Sequence, residues 1–404
     1  MIRTARRLDH IEPFYVMECA KAADVIARSP ECDPARGGEP MIYLNIGEPD
    51  FSAPRRVRDA AVACLERGAT QYTHATGLPA LQRRIATWYG TRFGLDIAPD
   101  RIVLTAGASA ALQLACLALF EPGDDVLMPD PSYPCNRHFV AAAGATARLL
   151  ETTAQSRFQP DVDAVVRAWG PDTRGVLLAS PSNPTGTSIA PDAMADIVAA
   201  VRERGGVTIV DEIYLGLSYD DTYSHSALAL GEDVISINSF SKYFSMTGWR
   251  LGWMVLPPAL LGAVEKLAQN LYICPSSLAQ HAALACFEPE SLAEYESRRE
   301  EFRRRRDFIV PALQRIGFDV PVPPDGAFYV WADCSRFLAD SPGGRGPADA
   351  WDFCFEMMRR AHVALTPGRD FGPAMADRFV RLSFANALPE LQQAVARLTR
   401  ELAR

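Results

Sequence analysis

The 404-residue chain has the length of two or three domains and ample material for a large core. Its 41 basic and 49 acidic residues leave a net charge of −8, which speaks against nucleic acid and anionic membrane surfaces as partners. No stretch approaches the roughly 18 consecutive apolar residues of a membrane span, and nine scattered cysteines without a C-x-x-C pair read as reduced thiols of a cytoplasmic protein.

The basic start, Met1 to Arg7, meets no apolar stretch and is not read as a secretory signal. Residues 12–28 read as a helix entered at a proline, and Pro30 to Pro40 as a Gly/Pro-containing loop. Met41 to Ile46 reads as a strand running into Gly47-Glu-Pro-Asp-Phe51. A glycine there suits close approach of backbone to a ligand, because it has no Cβ. Residues 54–69 and 79–94 read as helices, with Gln71-Tyr72 to Gly77 between them. Arg101 to Thr105 is expected as a strand, followed by Ala106-Gly107-Ala108-Ser109 at the start of an apolar helix reaching about Phe120. Free N–H groups and the helix dipole converge at such a start, so Gly107, Ala108 and Ser109 are candidate anion donors. No G-x-x-x-x-G-K-[ST] and no G-x-G-x-x-G occurs, which argues against nucleoside triphosphate and dinucleotide sites.

Asp124 to Pro129 is another expected strand, then Pro131-Ser-Tyr133-Pro134, where an aromatic side chain could stack on a flat ring or simply fill a proline turn. Gly175 to Ser180 reads as a buried strand ending in Pro181-Ser-Asn183-Pro-Thr-Gly186, by itself a turn. Val207 to Tyr214 places Asp211 at the end of a β-branched run. Val234 to Asn238 does the same for Ser239-Phe-Ser241-Lys242, with Arg250 eight residues beyond the lysine. A lysine that attacks a carbonyl must lose a proton it ordinarily holds up to a pKa of about 10.4, so it needs desolvation or a cationic neighbour. Arg250 suits bidentate binding of a phosphate. Amine, anion clamp and two hydroxyls describe a site for an aldehyde that carries a phosphate.

Leu251 to Leu256 reads as a strand, Ala259 to Gln269 as a helix and residues 291–316 as a long charged helix. Its Arg303 to Arg306 run follows Glu294, Glu296, Glu300 and Glu301, the pattern of a solvated face rather than a nucleic-acid site. Gly326 to Trp331 is an expected strand, Ser341 to Gly346 a loop, residues 347–361 a helix and Phe379 to Phe384 the last strand. Arg381 sits among apolar neighbours in that strand, a costly place for a charge without a partner.

Taken in order, the N-x-G-x-P-D-F segment at Gly47, the Tyr72 segment, the helix start at 107–109, Tyr133, S-N-P-T-G at Asn183, Asp211/Tyr214, the Ser239 to Arg250 stretch and R-L-S-F-A at Arg381 resemble the class I/II aminotransferases. These are pyridoxal 5'-phosphate (PLP) enzymes of fold type I, and the resemblance runs from about Ile11 to the C-terminus. It implies an α/β fold: a large α/β/α domain with a mostly parallel sheet, and a smaller α+β domain made from both chain ends. The expected division is 1–52 for an N-terminal arm and part of the small domain, 53–290 for the PLP-binding domain and 291–404 for the small domain. By the same resemblance Lys242 forms the Schiff base with PLP, Asp211 pairs with the pyridine nitrogen, and Asn183 and Tyr214 bind the phenolic oxygen. Lys242, Asp211 and Tyr214 are thus the catalytic set. Tyr133 stacks on the ring; Gly107, Ala108, Ser109, Ser239, Ser241 and Arg250 bind the cofactor end that carries the phosphate. Tyr72 reaches that phosphate across a homodimer interface. Gly47, Asn183 and Arg381 meet the substrate carboxylate, and no metal is expected.

The implied activity moves an amino group from an L-amino acid to a 2-oxo acid. A cysteine-S-conjugate β-lyase, another PLP enzyme on this scaffold, or a catalytically silent PLP-binding protein are the alternatives. Ser109 stands where some members carry a lysine for a distal carboxylate, and Gln269 about where another branch has an arginine. Alanine-like, aliphatic or aromatic substrates are therefore expected over aspartate. Ile273-Cys-Pro-Ser276 departs from the serine or asparagine that relatives often carry near the partner subunit's phosphate.

Overall fold

The computed structural model describes residues 2–340 and 346–403, so the loop expected at Ser341 to Gly346 lies, but for its last residue, outside the described residues. The chain opens with α1 (Tyr15–Ala27), β1 (Ile42–Tyr43), α2 (Arg55–Glu66) and α3 (Pro79–Phe93). Strands and helices then alternate: β2 (Ile102–Thr105), α4 (Ala108–Leu119), β3 (Asp125–Asp130), α5 (Pro134–Ala143), β4 (Thr146–Glu151), α6 (Val162–Ala168), β5 (Thr173–Ala179), α7 (Pro191–Glu203), β6 (Val207–Asp211), β7 (Ile235–Ser239) and β8 (Gly252–Val255). Next come α8 (Leu261–Leu271), α9 (Ser277–Ala283) and the long α10 (Pro289–Ile316). The last elements are β9 (Tyr329–Asp333), α11 (Ala350–Arg360), β10 (Val363–Ala364), β11 (Thr366–Pro367), β12 (Phe379–Ser383) and α12 (Leu388–Leu402).

Strands β2 to β8 form one sheet in the order β2-β8-β7-β6-β5-β3-β4. All neighbours are parallel except around β8, which runs against both β2 and β7. The sheet is covered on both faces, which explains its unbroken Val, Ile and Leu runs. Leu177, Ile209 and Ile237 pack with Leu112 of α4 and Val264 of α8, whereas Val176, Leu178 and Val210 pack with Ile197 and Val201 of α7. The carboxyl ends of β5, β6 and β7 lie side by side, with Ala179 opposite Asp211 and Asp211 opposite Ile237. Loops leaving this edge are where ligands bind in open α/β sheets.

A smaller antiparallel sheet, β11-β12-β9, and the parallel pair β1-β10 join the two ends of the chain. The fold is the expected α/β arrangement, with local departures. The strand expected over Met41 to Ile46 is only two residues long, because its backbone divides its bonds. Ile42 and Leu44 donate to His362 and Ala364, but the Leu44 carbonyl accepts from Ser383 of β12. β9 begins at Tyr329 rather than Gly326, since the Asp325 and Gly326 amides both turn to the Gly186 carbonyl. The α5–β4–α6 run and the α7, α9 and α12 helices had no counterpart in the sequence reading.

The α10 face is solvated at Arg303 and Arg304, which pair with Glu300 and Glu301. Arg305 departs from that expectation. It is buried, forks onto Asp50 at 2.9 and 3.0 Å, and also meets Glu301 and the Ala385 carbonyl. Among the described residues no helix is long and apolar enough to cross a membrane, and no group of acidic, His or Cys side chains is placed to hold a metal ion. Removing Arg305 strands Asp50 and the Ala385 carbonyl at the junction of both chain ends and takes one partner from Glu301. Arg305→Ala is expected to cost about 2–4 kcal/mol and to lower the thermal unfolding midpoint measurably, with Arg303→Ala as the near-neutral comparison.

Candidate active site

The loop after β7 folds back over the sheet edge and carries Lys242 into a cavity of about 560 Å³. The chain has only three lysines, Lys21, Lys242 and Lys266, and Lys242 alone lines this cavity. Its Nζ donates to the Gly47 carbonyl at 2.6 Å. Burial pulls the ammonium down to about 8; Glu48 and Asp211 oppose the fall, while Arg381 and Arg250 add to it. The side chain as a whole is only half-buried, so water reaching it through the cavity moderates the effect.

Beside the lysine lies an anion cradle. Ser239 Oγ and Ser241 Oγ are 3.0 Å apart, and the Ser241 amide donates to Ser239 Oγ at 3.0 Å. Arg250, held in a left-handed conformation at φ 53°, donates to the Thr247 carbonyl and swings its guanidinium over Gly107. Gly107 precedes α4 at φ 84°, and a Cβ there would sit 2.6 Å from Arg250 Nη2. Glycine is thus required twice, for its φ and for the arginine's approach. No side chain caps α4, so the amides of its first turn, with Ala108 and Ser109 on the cavity wall, stay available to an anion.

Asp211 ends β6 and Glu212 follows it, yet the two face different surroundings. Asp211 lines the cavity, accepts from the Ile213 amide at 3.1 Å, and is pushed by burial to about 6 against the pull of that amide and Lys242. Glu212 points away into a neutral nest of Ser236 Oγ, Ser226 Oγ and the Ala227 amide, at 2.6, 2.9 and 2.7 Å. Tyr214 is buried, and burial raises its hydroxyl well above the ordinary tyrosine value. Tyr133, at the head of α5, forms a half-buried wall and meets the Phe14 ring edge-on at 6.0 Å.

Arg381 is 2% exposed. Its Nη1 donates to Asn183 Oδ1 at 2.9 Å and its Nη2 to the Asn45 carbonyl at 2.6 Å, while Nε has no partner. Among the described residues no carboxylate pairs with it. A buried guanidinium held by neutral acceptors alone, with an open cavity before it, is a receptor for an anion.

Of the residues singled out by sequence, all but Gly107 and Tyr72 line the cavity itself, and Gly107 lies directly behind Arg250. Tyr72 is 77% exposed and takes no part in the cavity of its own chain. Tyr329, Glu48, Thr247 and the α1 residues Val16, Met17 and Ala20 also line it but escaped the sequence reading. Tyr329 lay in a run read only as a strand. The α1 residues have ordinary helical spacing, and nothing local says that the helix crosses back to the sheet edge.

This layout defines a PLP-dependent transferase of fold type I. The family model "Aminotransferase class I and II" matches residues 39–398, and the chain belongs to that family: it is a PLP-dependent transaminase. It is 38% identical, over 96% of each chain, to the valine–pyruvate aminotransferase of Mycobacterium tuberculosis, and 34% identical, over 98% of each, to an aspartate aminotransferase of Thermotoga maritima. Among solved structures, a Mycobacterium tuberculosis aminotransferase superposes with a TM-score of 0.92 at 38% identity over the whole of both chains. The Rhizobium meliloti aspartate aminotransferase does so with 0.90 at 31%, again over both whole chains.

The lowered Lys242 value gives a direct expectation. Labelling of the cofactor-free protein with a small amine-reactive reagent, followed by peptide mass spectrometry, should show Lys242 modification rising through a midpoint near pH 8, because the neutral amine appears there. A midpoint at the ordinary lysine value of about 10.4 would show that burial does not act on it as described.

Proposed function

We propose that this transaminase accepts amino acids with apolar side chains, and that Lys242 carries its PLP. The charge inventory of the cavity is the main support. Its cationic lining residues are Lys242, Arg250 and Arg381. The first has the role of attaching the cofactor, the second faces the anion cradle, and the third faces a single carboxylate. No further cation lines the described cavity for a second carboxylate. Its remaining approach is walled by Phe14, Val16, Met17, Ala20 and Ile46. The name of the valine–pyruvate relative agrees with this reading, whereas the aspartate aminotransferases are similar at only slightly lower identity, so the choice between them rests on the cavity lining.

The residues present suit PLP. The space over Gly107 and the open α4 start suit a phosphate, held with Arg250, Ser239, Ser241, Ala108 and Ser109. Asp211, buried but ionised above about pH 6, suits a protonated ring nitrogen. Asn183 and Tyr214 would hold the ring hydroxyl and Tyr133 the ring face. Bound there, PLP supplies the electron-accepting ring that lets an α-proton depart. Lys242, half neutral near pH 8, would take that proton at Nζ and return it to the carbon on the cofactor side of the amino nitrogen. Arg381, with Gly47 and Asn183 beside it, would fix the substrate carboxylate and so the direction of the bond that breaks.

The same reading extends to a division at 1–52, 53–290 and 291–404, a cytoplasmic setting, and a homodimer in which Tyr72 completes the partner's site. The exposure of Tyr72, and of Leu271 and Ile273 nearby in the fold through the Ser277–Gln71 and Gln280–Thr73 bonds, supports the dimer.

Purified protein loaded with PLP should lose its visible cofactor absorbance on addition of valine, alanine or phenylalanine, recover it with a 2-oxo acid, and respond weakly to aspartate. Release of ammonia and pyruvate from a cysteine conjugate, without that recovery, would favour the β-lyase reading. Lys242→Ala should abolish turnover; near-normal turnover would remove Lys242 from its role. Arg381→Leu should lower kcat/KM about 10²–10³-fold, the worth of a charge-assisted bidentate pair, and an unchanged value would place the carboxylate elsewhere.

A further inference from the structure

Tyr329 opens β9 and is 1% exposed, yet it has no task in the scheme above. Three parts of the site meet on it. Its hydroxyl lies 2.8 Å from that of Tyr214. The same hydroxyl occupies the space over Gly47 that a Cβ would need, and the Gly47 carbonyl is the acceptor of Lys242. Its ring lies 4.5 Å beneath the guanidinium carbon of Arg381, from the neighbouring strand β12, where Ser383 pairs with Tyr329 and Arg381 with Trp331.

We propose that Tyr329 is a positioning residue that couples the carboxylate clamp, Arg381, to the direction in which Tyr214 donates its hydroxyl proton. Each phenol has one proton to give. If Tyr214 spends its proton on Tyr329, it faces the cavity as an acceptor only. If Tyr329 donates, the Tyr214 proton is left for the cavity and the two bonds strengthen one another. A cation over the face of a phenol ring favours negative charge on the ring and its oxygen, which makes the hydroxyl the better donor. The Arg381 charge works against the rise that burial gives both hydroxyls, but the ring it covers is that of Tyr329. Arg381 therefore selects the order Tyr329 to Tyr214 to cavity. A substrate carboxylate that neutralises Arg381 relaxes the selection, so Tyr214 senses an occupied clamp that it does not touch.

This rests on the assignment of Lys242, Tyr214 and Arg381 proposed above. The test reads the pH dependence of the visible absorbance of PLP-loaded protein, which responds to donation toward the ring hydroxyl. The groups facing Lys242 are Glu48, Arg381, Arg250 and Asp211, with the Tyr214 and Phe328 rings 5.9 and 5.8 Å from Nζ. Facing Tyr214 are Tyr329, Arg381 and Tyr133. Tyr329→Phe changes none of these except the hydroxyl. It should raise the titration midpoint by about 0.5–1 pH unit, the net worth of one hydrogen bond. Tyr214→Phe should raise it further, and the double variant should match Tyr214→Phe, because Tyr329 acts through Tyr214. Adding 3-methylbutanoate, a carboxylate without an amine, should shift the unsubstituted protein more than Tyr329→Phe. In turnover, Tyr329→Phe should lower kcat with little change in KM, while Tyr329→Leu, which also removes the ring under Arg381, should raise KM.

An unmoved midpoint in Tyr329→Phe, or a double variant whose shift is the sum of the single shifts, overturns the proposal. Absence of a PLP absorbance already in the unsubstituted protein overturns the Lys242 assignment and this inference with it. The two failures are therefore told apart.

Discussion

The buried charge of Arg381 is the constraint on which the site depends. Its guanidinium reaches across 336 residues of sequence to the Asn45 carbonyl and across 198 to the Asn183 side chain. It thereby fastens the short strand near the start of the chain and a loop of the large sheet to a strand near the end. An isolated charge in such a place would be prohibitive, and neutral acceptors offset only part of the cost. The remaining demand is for an anion. Offsetting the buried charge and closing the fold around both chain ends are thus one electrostatic problem.

The other ionisable groups are arranged around that solution by burial more than by pairing. Lys242 and Asp211 are each displaced toward neutrality by their surroundings, and each partly restores the other's charge. Glu212, one residue from Asp211, is enclosed by hydroxyls and an amide and takes no part in the cavity. The Glu212 amide still donates to Ile237 of β7, so the extended chain just past β6 keeps the alternation that sends adjacent side chains to opposite faces. Two neighbouring acids thus face the cavity and the protein interior respectively.

Much of this was legible in the sequence, and for identifiable reasons. The central strands announce themselves because burial on both faces demands unbroken β-branched runs, and Asp211 and Ser239 at their carboxyl ends follow directly, whereas Asn183 stands out only through the resemblance. Ser241, Lys242 and Arg250 carry chemistry in their spacing. What stayed hidden depends on distant segments. Met41 to Ile46 has a full strand's composition, yet its hydrogen bonds are shared between β10 and β12, so only Ile42 and Tyr43 are regular. Arg305 sits in a run of arginines, and only the return of Asp50 and Ala385 makes it a buried fork. Tyr329 and α1 join the cavity because the small sheet is assembled from both termini, a property of topology that no local pattern records.

That assembly from both ends has a consequence in time. Asp211, Ser239, Lys242 and Arg250 belong to a contiguous run that leaves the ribosome well before β12, whereas the strand bearing Arg381 is among the last elements made. The nascent chain gains its serine hydroxyls and its amine first and the Arg381 guanidinium last. During synthesis the order of emergence puts the loop of Ser239 to Arg250 ahead of the buried guanidinium, which can take its place only when the final strand enters between β9 and β11.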